Sequence, residues 1–133
     1  MRILVTGCAG FIGSHLVKKL IEKKNIKIIG IDNLNEYYDV KLKLNRLKYL
    51  KKNKNFLFKK IDLRNVNKLN NLFKNNKIDL VINLAAQAGV RNSIINPRDY
   101  LESNLIGFFN IIDLSRLHKI KHFIYASTSS VYG

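Results

Sequence analysis

Between the apolar run Ile3-Leu4-Val5 and the apolar-periodic stretch from Phe11 to Ile21 stands Thr6-Gly7-Cys8-Ala9-Gly10-Phe11-Ile12-Gly13. A strand, a glycine turn and a helix start in that order form a phosphate-binding device. Gly7 allows the tight turn, Gly10 lets a pyrophosphate approach the backbone, and Gly13 lets the helix pack closely on the strand. The helix start at Phe11 and Ile12 offers free N–H groups and a positive dipole end to phosphates. A glycine pattern alone is weak, but a second element supports it. Lys27-Ile28-Ile29-Gly30-Ile31 reads as the next strand, and Asp32 closes it, 19 residues after Gly13. A carboxylate there accepts hydrogen bonds from an adenosine ribose and repels a 2′-phosphate, so NAD is favoured over NADP. The competing reading is a ligand-free glycine turn with Asp32 merely capping a loop, and it must treat the joint spacing as chance.

At 133 residues the chain is one domain's worth, expected to be a cofactor-binding domain over residues 1–133 with no substrate domain. The first strand begins at Arg2, which leaves no room for a leader peptide, and no apolar run approaches the ~18–20 residues of a membrane span. Cys8 is the single cysteine, so no disulfide framework is expected, and the chain reads as cytoplasmic. The formal net charge of +15 raises a nucleic-acid partner. The lysines, however, are spread from Lys18 to Lys77 in an Asn- and Ile-rich background, which points to solvated faces and no nucleic acid.

Apolar runs alternate with amphipathic segments. Strands are expected at Arg2–Thr6, Lys27–Ile31, Phe56–Lys60, Leu80–Leu84 and His122–Ala126. Helices are expected near Phe11–Lys24, Val40–Lys51, Val66–Asn75 and Pro97–His118. This alternation predicts an α/β fold, a Rossmann-type doubly wound parallel sheet in strand order 3-2-1-4-5.

Further candidates lie at strand ends, where an open α/β sheet binds ligands. Asp62-Leu63 follows the third strand; Asp62 either meets the adenine amino group or serves as a helix N-cap. Leu84-Ala85-Ala86-Gln87-Ala88-Gly89-Val90 follows the fourth, where small residues let a dinucleotide pass. Arg91 and Ser93 are expected in a loop beyond it. Arg91 would hold a substrate phosphate or carboxylate, or else be a solvated surface side chain. Ser127-Thr128-Ser129-Ser130 follows the fifth strand, and hydroxyls there suit a sugar. His15, His118 and His122 show no metal-like clustering, no metal is expected, and no base stands beside Cys8.

Taken together these segments resemble the extended short-chain dehydrogenase/reductases, specifically the NAD-dependent nucleotide-sugar epimerases, and most of all the UDP-glucuronate 4-epimerases of cell-surface polysaccharide synthesis. The carrying residues are Thr6–Gly13, Gly30-Ile31-Asp32-Asn33-Leu34-Asn35 with Tyr37-Tyr38-Asp39-Val40, Leu84–Arg91 and Tyr125–Gly133. The resemblance adds Asn33 and Ser103 to the cofactor contacts. It puts Thr128 where a catalytic hydroxyl bonds the sugar's O4, with Arg91, Ser93, Ser129 and Ser130 toward the UDP-sugar. Similar 4,6-dehydratases carry an Asp-Glu pair where this chain has Ser129 and Ser130. Serines cannot supply that acid–base chemistry, so epimerisation is favoured. The resemblance also implies a homodimer and a proton-abstracting Tyr-x-x-x-Lys pair downstream of the hydroxyl run. The chain is expected to stop before that pair, to hold none elsewhere and to be inactive by itself. A stand-alone NAD-binding regulatory module, or another epimerase such as one for UDP-glucose, remains open.

Overall fold

The computed structural model describes residues 1–128 and Val131; Ser129, Ser130, Tyr132 and Gly133 lie outside the described residues. Five strands, β1 (Arg2–Thr6), β2 (Lys27–Asp32), β3 (Phe56–Lys60), β4 (Leu80–Asn83) and β5 (His122–Tyr125), form one parallel sheet in the order β3-β2-β1-β4-β5. The expected architecture and strand order hold.

Period-two alternation sorts the strand residues between two layers. Ile3 and Val5 of β1 face one side with Ile28 of β2, against Val17 of α1 (Phe11–Leu20) and Leu47 and Leu50 of α2 (Val40–Leu50). Leu4 of β1 faces the other side with Ile29 and Ile31, against Leu69, Leu72 and Phe73 of α3 (Val66–Lys74) and Ile111 and Leu114 of α6 (Gly107–Leu117). Burial on both faces explains why β1 reads as a continuous apolar run, as parallel strands do. Asp39 caps α2 by accepting from the Lys41 N–H (2.8 Å), and Asn65 caps α3 by accepting from the Lys68 N–H (3.0 Å). The cap of α3 is therefore Asn65, not Asp62 as the sequence had left open.

The segment from residue 90 to 118 departs from expectation. Arg91 and Ser93 lie on a short helix, α4 (Val90–Ile95), rather than in a loop. Its apolar residues are exposed, Val90 at 81% and Ile94 at 78%, so no buried stripe marked it in the sequence. The expected single helix from Pro97 is α5 (Pro97–Tyr100), then a π-helical stretch Leu101–Ile106, then α6. The Gly107 N–H bonds the Glu102 carbonyl, a five-residue reach that marks the wider turn. At β5, Phe123 packs on the core while Ile124 and Tyr125 are exposed on the sheet edge.

The chain winds outward from β1 to β3, then returns to place β4 on the other side of β1. This reversal opens a crevice beyond the carboxyl ends of β1 and β4, the position where open α/β sheets bind ligands.

Candidate functional site

The crevice holds a cavity lined by Thr6, Gly7 and Gly10 from the glycine loop, Asp32 at the end of β2 and Asn33 after it, Asp62 and Leu63 after β3, Leu84 to Ala88 after β4, and Ser103 from the π-helical stretch. Nearly all the cofactor candidates read from the sequence are thereby gathered in one place. Phe11 and Ile12 sit instead on the exposed first turn of α1, and Gly13 is buried in that helix rather than lining the cavity.

Gly7 has φ +65°, and a Cβ there would come within 2.9 Å of the Ala85 nitrogen. A Cβ on Gly13 would fall onto the Gly7 carbonyl oxygen. The loop thus stays as bare backbone between β4 and α1, and a pyrophosphate can lie against it. Asp32 braces this loop: its Oδ2 accepts from the Ala9 N–H (3.1 Å) and its Oδ1 from the Leu34 N–H (2.9 Å). Each carboxylate oxygen keeps a lone pair for a further donor.

Asp62 accepts from the Arg64 N–H and Nε (both 2.9 Å), the Arg64 guanidinium (2.8 Å) and Asn33 Nδ2 (3.0 Å). Burial works to raise its pKa, but the hydrogen bonds from Arg64 and Asn33 outweigh it and bring the carboxyl down to about 2. A depressed carboxyl contributes stability above its ordinary value of 3.8 and loses it as pH falls toward 2. Asp62→Asn is therefore expected to melt below the parent at neutral pH, with the difference closing on acidification to about pH 2. Parallel thermal melts across that range check this, and a gap that does not change with pH would contradict it.

Several residues at the site escaped the sequence. The Thr6 hydroxyl, fully buried, donates to Asn83 Oδ1 (2.6 Å) and accepts from the Leu84 (3.1 Å) and Ala85 (3.0 Å) N–H groups. Asn104 clamps Gln87 through both backbone groups, at 2.7 and 3.0 Å. Asn35 Nδ2 donates to Gln87 Oε1 (2.9 Å), which joins the loops after β2 and β4 across the cavity. Lys43, read as part of a solvated basic helix, is 4% exposed. Its spacing with Leu47 and Leu50, both buried, is that of one helix face and was the available signal.

Other candidates lie apart. Arg91 and Ser93 sit on α4 and do not line the cavity; the Ser93 hydroxyl donates to the Val90 carbonyl (2.6 Å). Thr128 follows β5 and is exposed, while Ser129 and Ser130 fall outside the described residues. A Tyr-x-x-x-Lys spacing does occur, at Tyr37–Lys41, against the expectation that the chain holds none. Tyr37 lies in the turn before α2, with its hydroxyl where a Gly89 Cβ would stand, so the two residues do not share a helix face. Burial and the Asp32 charge push the Cys8 thiol up, which suits packing rather than nucleophilic attack. His15 contacts the Phe11 carbonyl (2.8 Å), and His118 packs on Phe73. No described helix is long and apolar enough to cross a membrane.

A doubly wound parallel sheet that opens such a crevice beside a glycine cradle is a fold of the Rossmann class. The chain belongs to the family described as GDP-mannose 4,6 dehydratase, whose match covers residues 4–133. It is 55% identical over its whole length to Protein CapI of Staphylococcus aureus and 46% identical over 98% of its length to a UDP-glucuronate 4-epimerase of Thermodesulfobacterium geofontis. It covers 39% and 40% of those two proteins, so it spans about two fifths of the curated relatives it matches. Its fold superposes with TM-score 0.91, at 37% identity, on the UDP-glucuronic acid 4-epimerase of Bacillus cereus crystallised with UDP-glucuronic acid and NAD, covering 100% of this chain and 42% of that one.

Proposed function

We propose that residues 1–133 are the NAD-binding domain of a nucleotide-sugar 4-epimerase acting on UDP-glucuronate in cell-surface polysaccharide synthesis. The observation that carries this reading is the 46% identity to a UDP-glucuronate 4-epimerase across 98% of the chain. The cavity fits the cofactor: the Gly7 and Gly13 cradle has no room for a side chain, and Asp32 lines the cavity at the carboxyl end of β2. NAD, when bound, accepts and returns a hydride. In this reading the glycine loop holds the pyrophosphate, Asp32 the adenosine ribose and Asp62 the adenine edge. Ser103, Leu84 and the small residues Ala85 and Ala86 flank the cofactor. Thr128 would bond the sugar hydroxyl, with Arg91, Ser93, Ser129 and Ser130 toward the UDP-sugar. Serines at 129 and 130 favour epimerisation over dehydration.

Calorimetric titration tests the cofactor side. NAD is expected to bind more tightly than NADP, and Asp32→Ala to weaken NAD by removing charge-assisted hydrogen bonds worth about 1.5–3 kcal/mol each. Equal affinity for the two dinucleotides would overturn the reading. On the sugar side, the 133-residue chain incubated with UDP-glucuronate and NAD is expected to form no UDP-galacturonate. In this reading the proton-abstracting pair implied by the resemblance falls downstream of the hydroxyl run, and general acid–base groups contribute ~10²–10⁴-fold. The exposed Ile124 and Tyr125 on the β5 edge should favour self-association, read by light scattering. Robust turnover by a monodisperse monomer would refute this assignment of roles.

A further inference from the structure

The fold sorts lysines that look scattered along the sequence. Val40 to Lys60 carries eight lysines, Arg46 and no acid. Lys43 is buried at the cavity, where the Asp32 charge acts on it, and it belongs to the cavity alone. The outer side of α2 is different. Lys41, Leu44 and Lys48 follow one another at helical spacing, with Leu42 and Tyr49 on the neighbouring row, and all five are exposed. Lys52 continues the first row in the turn after the helix and is exposed as well. Among the described residues, no cation between Val40 and Lys60 has a carboxylate within ion-pair distance. Beyond β3 the pattern reverses: Arg64, Arg98 and Arg116 are all paired, with Asp62, Glu102 and Asp113.

Unpaired surface cations attract any polyanion, so the side chains between them decide which one fits. A single-stranded nucleic acid needs open aromatic faces for its bases. In this layer the rings are already covered: Lys18 lies 5.1 Å above Tyr49, Lys51 4.9 Å above Phe58, and Lys43 4.4 Å above Tyr38. Leu42 and Leu44 offer a phosphodiester backbone nothing. They suit the headgroup and acyl boundary of a bilayer, where apolar burial and attraction to anionic lipid add together. We propose that the outer face of α2, built on Lys41, Leu42, Leu44, Lys48 and Tyr49, docks this domain on an anionic phospholipid bilayer. The helix packs on Phe56 of β3, and β3 and β5 are opposite edges of the sheet, so docking leaves the β5 edge uncovered. The inference does not depend on what the cavity holds.

Sedimentation with sucrose-loaded vesicles tests this on the 133-residue chain, with a spin of protein alone to subtract self-association. Partition onto mixed phosphatidylglycerol and phosphatidylcholine vesicles is expected to exceed that onto phosphatidylcholine alone by roughly tenfold or more. Salt at about 0.5 M should remove most of the gain. Lys41→Glu with Lys48→Glu is expected to lower partition roughly tenfold or more. Lys68→Glu with Lys74→Glu makes the same change in charge on α3, in the opposite layer, and should keep most of it. Leu42→Ser with Leu44→Ser should lower partition without changing charge. Circular dichroism checks that the variants fold, and the lipid and salt comparisons on the parent need no variant. Equal partition onto the two vesicle compositions would overturn the inference, as would an equal loss from the α3 pair. Tighter binding to a single-stranded oligonucleotide that ignores the loss of Leu42 and Leu44 would overturn it in favour of a nucleic-acid face. NAD titration of the parent reads the cofactor site separately from all of these.

Discussion

Gly13→Ala is expected to abolish dinucleotide binding and to cost the fold about 3 kcal/mol or more, at the upper end of what overpacking costs. The added methyl would fall onto the Gly7 carbonyl oxygen, with the Gly7 carbonyl carbon at 2.9 Å and the Cys8 Cα at 3.0 Å. Every one of these atoms is backbone, so no rotamer change relieves the contact. Nor is the loop free to retreat. Gly7 holds a positive φ and is pressed against the Ala85 nitrogen, and its carbonyl already accepts from the Gly10 N–H (3.0 Å). Moving α1 away would open its contacts through Val17, which is fully buried.

Two other glycines calibrate the result. Gly30→Ala meets Phe56 and Cys8 side chains at 2.6 and 2.7 Å, which are buried yet able to shift, so a cost of about 1–3 kcal/mol is expected. Gly10→Ala meets only the Gly7 carbonyl oxygen at 3.1 Å and has an ordinary φ of −66°, so it should be the mildest of the three. Urea denaturation and NAD titration of the three variants read both effects. A Gly13→Ala protein that unfolds with its parent and still binds NAD would refute the cradle geometry.

The readable parts of this chain are those whose signals are local. Each strand is a short apolar run, and each observed strand overlaps its expected range, with ends shifted by a residue at β2, β4 and β5. The glycine loop and Asp32 could be placed because fixed spacing along the chain fixes their positions on the sheet. The residues that close the cavity could not, because their roles are set by partners far away in sequence. Asn104 is one turn of helix by pattern, and only its bonds to Gln87, 17 residues earlier, give it a task. The π-helical stretch has no local signature either. It ends at Gly107, where a Cβ would come within 3.0 Å of the Leu63 Cβ, so the close approach of helix and β3 loop depends on a missing side chain. Arg91 and Ser93 were misplaced because α4 buries none of its residues, and a helix without a buried face leaves no periodicity to read.

Thr6 shows how a residue at the edge of a recognisable motif can hold more than the motif itself. Its hydroxyl is fully buried and serves three partners on β4 and the turn after it. Thr6→Val keeps the shape and removes them all. The Leu84 and Ala85 N–H groups lose their acceptor, and Asn83 Oδ1, on a residue only 5% exposed, loses its donor. Each unsatisfied buried polar group costs about 1–3 kcal/mol, and because the three share one oxygen the total should fall near 3 kcal/mol rather than at the sum. The loss also reaches the cofactor. The Ala85 nitrogen is one of the backbone atoms of Leu84 and Ala85 that leave Gly7 no space for a side chain, so releasing it loosens the wall against which a pyrophosphate would lie. Thr6→Val is therefore expected to weaken NAD binding as well as the fold, whereas Thr6→Ser, which keeps the oxygen, should retain most of both. Denaturation and titration of the pair decide the matter. If Thr6→Val matched Thr6→Ser in stability and NAD affinity, the hydroxyl would be a bystander, and the end of β4 would owe its position to packing alone.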